Sequence, residues 1–184
     1  MPMISRRSAI KITVSSALAS MAAPTAGAVS GPAVDATLRD FYWRVGGAHE
    51  LVGRAAAVLV FPTIIKAGIG FGGEYGEGAL LVHGRPVGYY NCVSASFGFQ
   101  LGAQARSVII LFMTEEALAS FSRTNGWKVG IDGSVALITV GAGGSIDTDR
   151  IVSPIVGFIF DNKGLMYNLT LEGTKITRIS GGRW

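Results

Sequence analysis

One cysteine, Cys92, among 184 residues leaves no partner for an intrachain disulfide. The two histidines are His49, on a helical segment, and His83, beside the turn at Gly84, and Cys92 lacks an obvious adjacent base. Charged residues are 15% of the composition and form no basic stripe, which excludes the nucleic-acid-binding class. Nearly half the chain is hydrophobic, yet no uninterrupted apolar run reaches the ~18 residues a membrane-spanning helix needs. No serine lies in G-x-S-x-G, and no P-loop lysine-serine pair occurs. Asp147-Thr148-Asp149 offers two carboxylates without a third oxygen donor or an EF-hand frame, and reads as a solvated turn. No metal site and no cofactor is expected.

What is present begins with a targeting segment. Arg6, Arg7 and Lys11 precede a mildly apolar run from Ile12 to Ala23, and Ala26-Gly27-Ala28 is a small-x-small cleavage signal. The order predicts a signal peptide over 1–28, with the mature chain starting at Val29. Ser5-Arg6-Arg7-Ser8-Ala9-Ile10-Lys11 resembles a twin-arginine frame, although an ordinary Sec signal containing Arg-Arg has the same layout. Three of the 16 basic residues lie in that segment, leaving 13 against 12 acidic ones, so the mature part is nearly neutral. A periplasmic or envelope location follows, with residues 29–184 as one domain.

Val34, Leu38, Phe41 and Val45 recur at helical spacing over Val34–Arg54, with Asp35 or Asp40 suited to early helix positions. Gly46-Gly47 breaks that run, and Ala48 to Ala57 can form a second helix. The character then changes to strand. Ala57–Phe61 reads as a strand stopped by Pro62. It is followed by candidates at Gly68–Tyr75, Gly78–His83, Gly88–Phe99, Val108–Met113, Ser134–Val140, Ile155–Phe160, Leu165–Leu171 and Lys175–Ile179. Turn signals separate them, among them Gly84-Arg85-Pro86, Asp132-Gly133 and Glu172-Gly173. Thr114 is an N-cap for a later helix through Ser122. The expected class is α+β: a mainly antiparallel sheet, sandwich or barrel-like, with N-terminal helices and one later helix.

Gly68-Ile69-Gly70-Phe71-Gly72-Gly73 spells G-x-G-x-x-G, but strand character continues through Val82, so no helix N-terminus is offered to a pyrophosphate. A catalytic site could be drawn only from Glu74, Glu77 and His83, whose mutual geometry cannot be read from the sequence. The expectation is that the protein is not an enzyme.

The block Val58-Leu59-Val60-Phe61-Pro62-Thr63-Ile64-Ile65-Lys66-Ala67-Gly68-Ile69-Gly70-Phe71-Gly72-Gly73-Glu74-Tyr75-Gly76-Glu77-Gly78 resembles the SYLF-domain family. Ser96–Gln104, Ala136–Gly144, and Lys163-Gly164-Leu165 with Leu169–Gly173 agree in order, so the resemblance covers about Val34 to Ile179. It implies a lipid-binding module, with phosphoinositides bound by eukaryotic members and actin filaments by fungal ones. Actin is no partner for an exported bacterial chain, so the lipid half is what transfers. Tyr167-Asn168 and the short tail Gly181-Gly182-Arg183-Trp184 depart from the family pattern.

On the helical wheel Trp43 points nearly opposite the Val34/Leu38/Phe41/Val45 stripe, with Arg39 one turn behind it. An exposed Trp beside an Arg suits a headgroup layer, the ring at the interface and the cation on phosphate. Lys66, inside the most specific block, is a second phosphate-contact candidate, otherwise a surface lysine at a strand start. The partner expected is an anionic phospholipid or membrane surface. The alternative is a structural or protein-interaction module of the cell envelope that engages an envelope protein.

Overall fold

The computed structural model describes residues 29–140, 152–163 and 170–180. The first described element is α1 (Gly31–Arg44), in which Val34 and Phe41 face inward and Leu38 is half-buried, with the C-cap residue Val45 also buried. α1 begins ahead of Val34 because Pro32 suits the first helical turn, so its first turn contains no acidic residue. Asp40 instead pairs with Arg44 one turn on, at 3.0 Å. Gly46-Gly47 ends the helix as expected, Gly47 taking φ 80°, and α2 (Ala48–Arg54) follows.

Two strands dominate what comes next: β1 (Ala57–Val82) and β2 (Arg85–Phe112), paired antiparallel from end to end. The expected separate strands merge into this one ribbon. Pro62 does not stop β1, because the register slips between Phe61 and Ile64 and the residue without an N–H falls in the slip. The ribbon turns at His83-Gly84, one residue earlier than expected. Both residues have positive φ, 49° and 74°, as a tight two-residue hairpin requires.

The ribbon is folded in half. Near its base β2 pairs with β5 (Ile155–Lys163), and near its tip with β6 (Lys175–Ile179). The short β3 (Trp127–Lys128), which the sequence patterns do not reveal, lies outside β6. β4 (Ala136–Thr139) runs parallel to β5, the one parallel pairing among the described strands. The two limbs of β1 touch. A Cβ on Gly76 would lie 2.8 Å from Thr63 O, and one on Gly78 would lie 2.5 Å from Val60 O, so only glycine fits where β1 meets itself.

Strand alternation then divides the interior into two layers. Leu59, Phe61, Ile64, Leu80, Val108 and Ile110 pack between the two limbs of the ribbon. Val58, Val60, Leu81, Ile109 and Leu111 pack outward against Phe41, Val45 and Leu51 of the helices. α3 (Glu115–Arg123) is capped by Thr114, whose Oγ1 accepts from Ala117 N at 3.2 Å. It sends Phe121 into the first layer, against the rings of Tyr90, Phe112 and Trp127. The architecture is the expected α+β class. Most of the expected strand at Leu165–Leu171, the Asp147/Asp149 pair and the C-terminal tail lie outside the described residues. No described helix is long and apolar enough to cross a membrane.

A buried charged triad and an exposed tryptophan as candidate sites

The pairings Ile64 with Arg106 and Lys66 with Gln104 put Lys66, Gln104 and Arg106 on one face of the ribbon's basal limb. Glu74 sits on the other limb, two residues before Gly76, and the fold-over delivers it to that face. Lys66 Nζ lies 3.2 Å from Glu74 Oε1, and Arg106 Nη2 lies 2.5 Å from Glu74 Oε2. The residues are 4%, 6% and 3% exposed, so the triad is interior and carries two cations for one anion. Arg106 Nη2 also donates to Thr170 O at 3.2 Å, while its Nε and Nη1 have no hydrogen-bond partner among the described residues.

Lys66 is therefore not a surface lysine. β1 resumes its alternation beyond the Pro62 slip with Ile65 outward and Lys66 inward, and the ion pair offsets the desolvation of its ammonium. No periodicity in the sequence pairs residues that meet only when the ribbon folds. The one signal available was opposite charge in an otherwise apolar, glycine-rich stretch.

The grouping of Glu74, Glu77 and His83 does not assemble. Both oxygens of Glu74 are occupied. Glu77, three positions on, faces the opposite side of β1, where it accepts from Tyr75 Oη at 2.6 Å and Val29 N at 3.3 Å. His83 is exposed in the hairpin turn, six residues and about 20 Å along the strand from Glu77. The Glu77 hydrogen bond, with burial behind it, pushes the Tyr75 phenol up to about 12. Burial, helped by the Glu74 charge and opposed by Arg106, pushes the Cys92 thiol up to about 12. Cys92 is thus a protonated, weakly nucleophilic group within the core.

Trp43 and Arg39 stand where the helical wheel places them. Trp43 is 83% exposed and Arg39 is exposed on the same outer side of α1. With Asp40 they border an open groove of about 600 Å³ whose far wall is Pro62, Thr63, Ser107 and Asp161. Arg44 bridges Asp40 and Asp161 beside it, at 3.0 and 4.0 Å. A second open groove, of about 770 Å³, runs between the ribbon tip, α3 and β6. Arg123, Arg178, Tyr89 and Tyr90 line it, and none of its described lining residues is a carboxylate. Sequence reading missed this groove because its residues come from three separate segments.

A half-folded antiparallel ribbon, flanked by short strands and covered on one side by N-terminal helices, places the protein among β-rich α+β domains. Residues 93–180 match the family model described as Ysc84, Las17-binding protein actin regulator. Over those residues the chain is similar to the SYLF family, the family its motifs resemble. The match starts within β2 and leaves α1, α2 and β1 outside it, although β1 shares both core layers with the matched part and the two helices share the outer one. No curated protein matches the chain.

Proposed function

We propose that the protein is an exported, non-catalytic module that binds anionic phospholipid headgroups at a membrane surface through the outer face of α1. The observation that carries this reading is Trp43, a large aromatic left 83% exposed beside Arg39, on a helix whose other face is fully committed to the core. An amphipathic ring at headgroup depth, with a guanidinium one turn away, is an interfacial pair. The cationic groove at Arg123 and Arg178 is compatible with the same class of partner. Lys66 takes no part, being held by Glu74. The basic, apolar and small-residue order of residues 1–28 supports export to the periplasm or envelope.

Co-sedimentation of the mature chain with vesicles, with and without anionic lipid, tests the reading. Binding that needs anionic lipid and weakens with salt is expected. Absence of binding at low salt would overturn it. An envelope protein-interaction role would then stand instead, favoured by β4, which ends the sheet with Ala136 and Thr139 exposed and one edge unpaired among the described strands.

A further inference from the structure

Val29 is 6% exposed and packs in the same layer as Val34 and Phe41, and its backbone N lies 3.3 Å from Glu77 Oε2. The other oxygen of Glu77 is held at 2.6 Å by Tyr75 Oη, so the carboxylate is oriented toward the start of α1. That helix lacks its own N-terminal chemistry. The Ser30 side chain makes no cap hydrogen bond, and no acidic residue lies in the first turn. Glu77, reaching across from β1, supplies the negative charge that a helix N-terminus favours.

Val29 is also the residue that follows Ala26-Gly27-Ala28, the small-x-small signal. Hydrolysis of the Ala28–Val29 peptide bond adds one water. The carboxylate goes to Ala28 and the amine, protonated at neutral pH, to Val29. The neutral amide facing Glu77 becomes an ammonium with three donors. A weak 3.3 Å contact is thereby replaced by a charge-assisted one in a part-buried site.

We propose that Glu77, oriented by Tyr75, is a receptor for the new N-terminus, so that removal of the leader completes the fold with an ion pair the precursor cannot make. The proposal rests on the export reading only for where the chain is cut. The receptor itself is a property of the folded domain.

The test uses purified proteins of defined start, one beginning at Val29 and one at Ala28, each with Glu77 and with Glu77→Gln. Both keep every described core residue, since the two layers draw only on residues 29–176. The Val29-start protein is expected to melt higher than the Ala28-start protein, and Glu77→Gln to lower its melting temperature by roughly 3 °C or more beyond the loss in the longer chain. Equal losses in the two chains would overturn the receptor. Labelling by an amine-selective reagent gives a second readout that tolerates marginal folding. The Val29 amine should react several-fold slower than the Ala28 amine, with the difference abolished by Glu77→Gln, and equal rates would overturn the proposal. The N-terminal mass of exported protein separates this from the export reading. A start other than Val29 removes the maturation step, whereas retention of uncleaved chain in the cytoplasm removes export.

Discussion

Glu74 Oε2 lies 2.5 Å from Arg106 Nη2, across two limbs of one ribbon that meet only because the ribbon folds in half. Lys66 takes the other oxygen, so a single buried carboxylate pins both limbs together. Glu74→Ala leaves two buried cations facing each other, and should lower the unfolding free energy by about 3–5 kcal/mol in urea denaturation. Replacing all three residues together with apolar side chains of similar volume should recover most of that loss. A loss under about 1 kcal/mol for Glu74→Ala would place the triad in solvent, where ion pairs contribute little.

Gly78 and Gly53 should respond in opposite directions. A side chain at Gly78 meets Val60 O and the Phe61 ring, so Gly78→Val should cost at least about 1–3 kcal/mol through overpacking. Gly53, within α2, has nothing within 4 Å of an added Cβ, and Gly53→Ala should raise stability by about 0.5–1 kcal/mol. Thermal melts of the two variants check the pair.

Alkaline pH should destabilise the fold. The Cys92 thiol, raised from 9.0 to about 12, and the Tyr75 phenol, raised from 10.0 to about 12, hold their protons in the folded state after the unfolded chain has released them. The folded state therefore binds more protons between about pH 9 and 12, and stability falls as pH rises through that window. Cys92→Ala should flatten the lower part of the fall. Wild-type Cys92 should resist thiol reagents at neutral pH until the protein unfolds.

Trp43→Ala removes exposed area without opening a cavity, so stability should change by no more than about 0.5 kcal/mol while binding to anionic vesicles weakens. Arg39→Ala should weaken binding most at low salt. Trp127→Ala is the contrasting control: that ring is buried against Phe121, and its loss should cost about 3–5 kcal/mol. A large drop in melting temperature for Trp43→Ala with vesicle binding intact would overturn the assignment of α1's outer face.

Replacing Arg6 and Arg7 with Lys should leave the precursor in the cytoplasm if the twin-arginine route is used. Unchanged export of that double variant, followed by cell fractionation, would assign the segment to the Sec route.

Features written in local spacing are legible in the amino-acid sequence alone. Residues three and four apart share a helical face, so the α1 core stripe, the outward Trp43 and the Thr114 cap follow from neighbours along the chain. The Gly46-Gly47 break and the β-rich class depend on equally short-range chemistry. The family motifs can be recognised as well, since they are strings of adjacent residues.

Pairing between distant residues is not legible in that way, and it decides the sites. Pro62 reads as a strand stop until the opposite strand is present to slip past it. Lys66 reads as a surface lysine until Glu74, eight residues on, returns to it and Arg106 arrives from the partner strand. Val29 and Glu77 are 48 positions apart, and no periodicity relates them. Helical and strand periods act over a few residues, whereas the fold-over of a long ribbon is set by where glycine lets one limb of β1 rest on the other. The identity of the buried ion pairs is therefore settled by tertiary packing, which alone brings those limbs within hydrogen-bond reach.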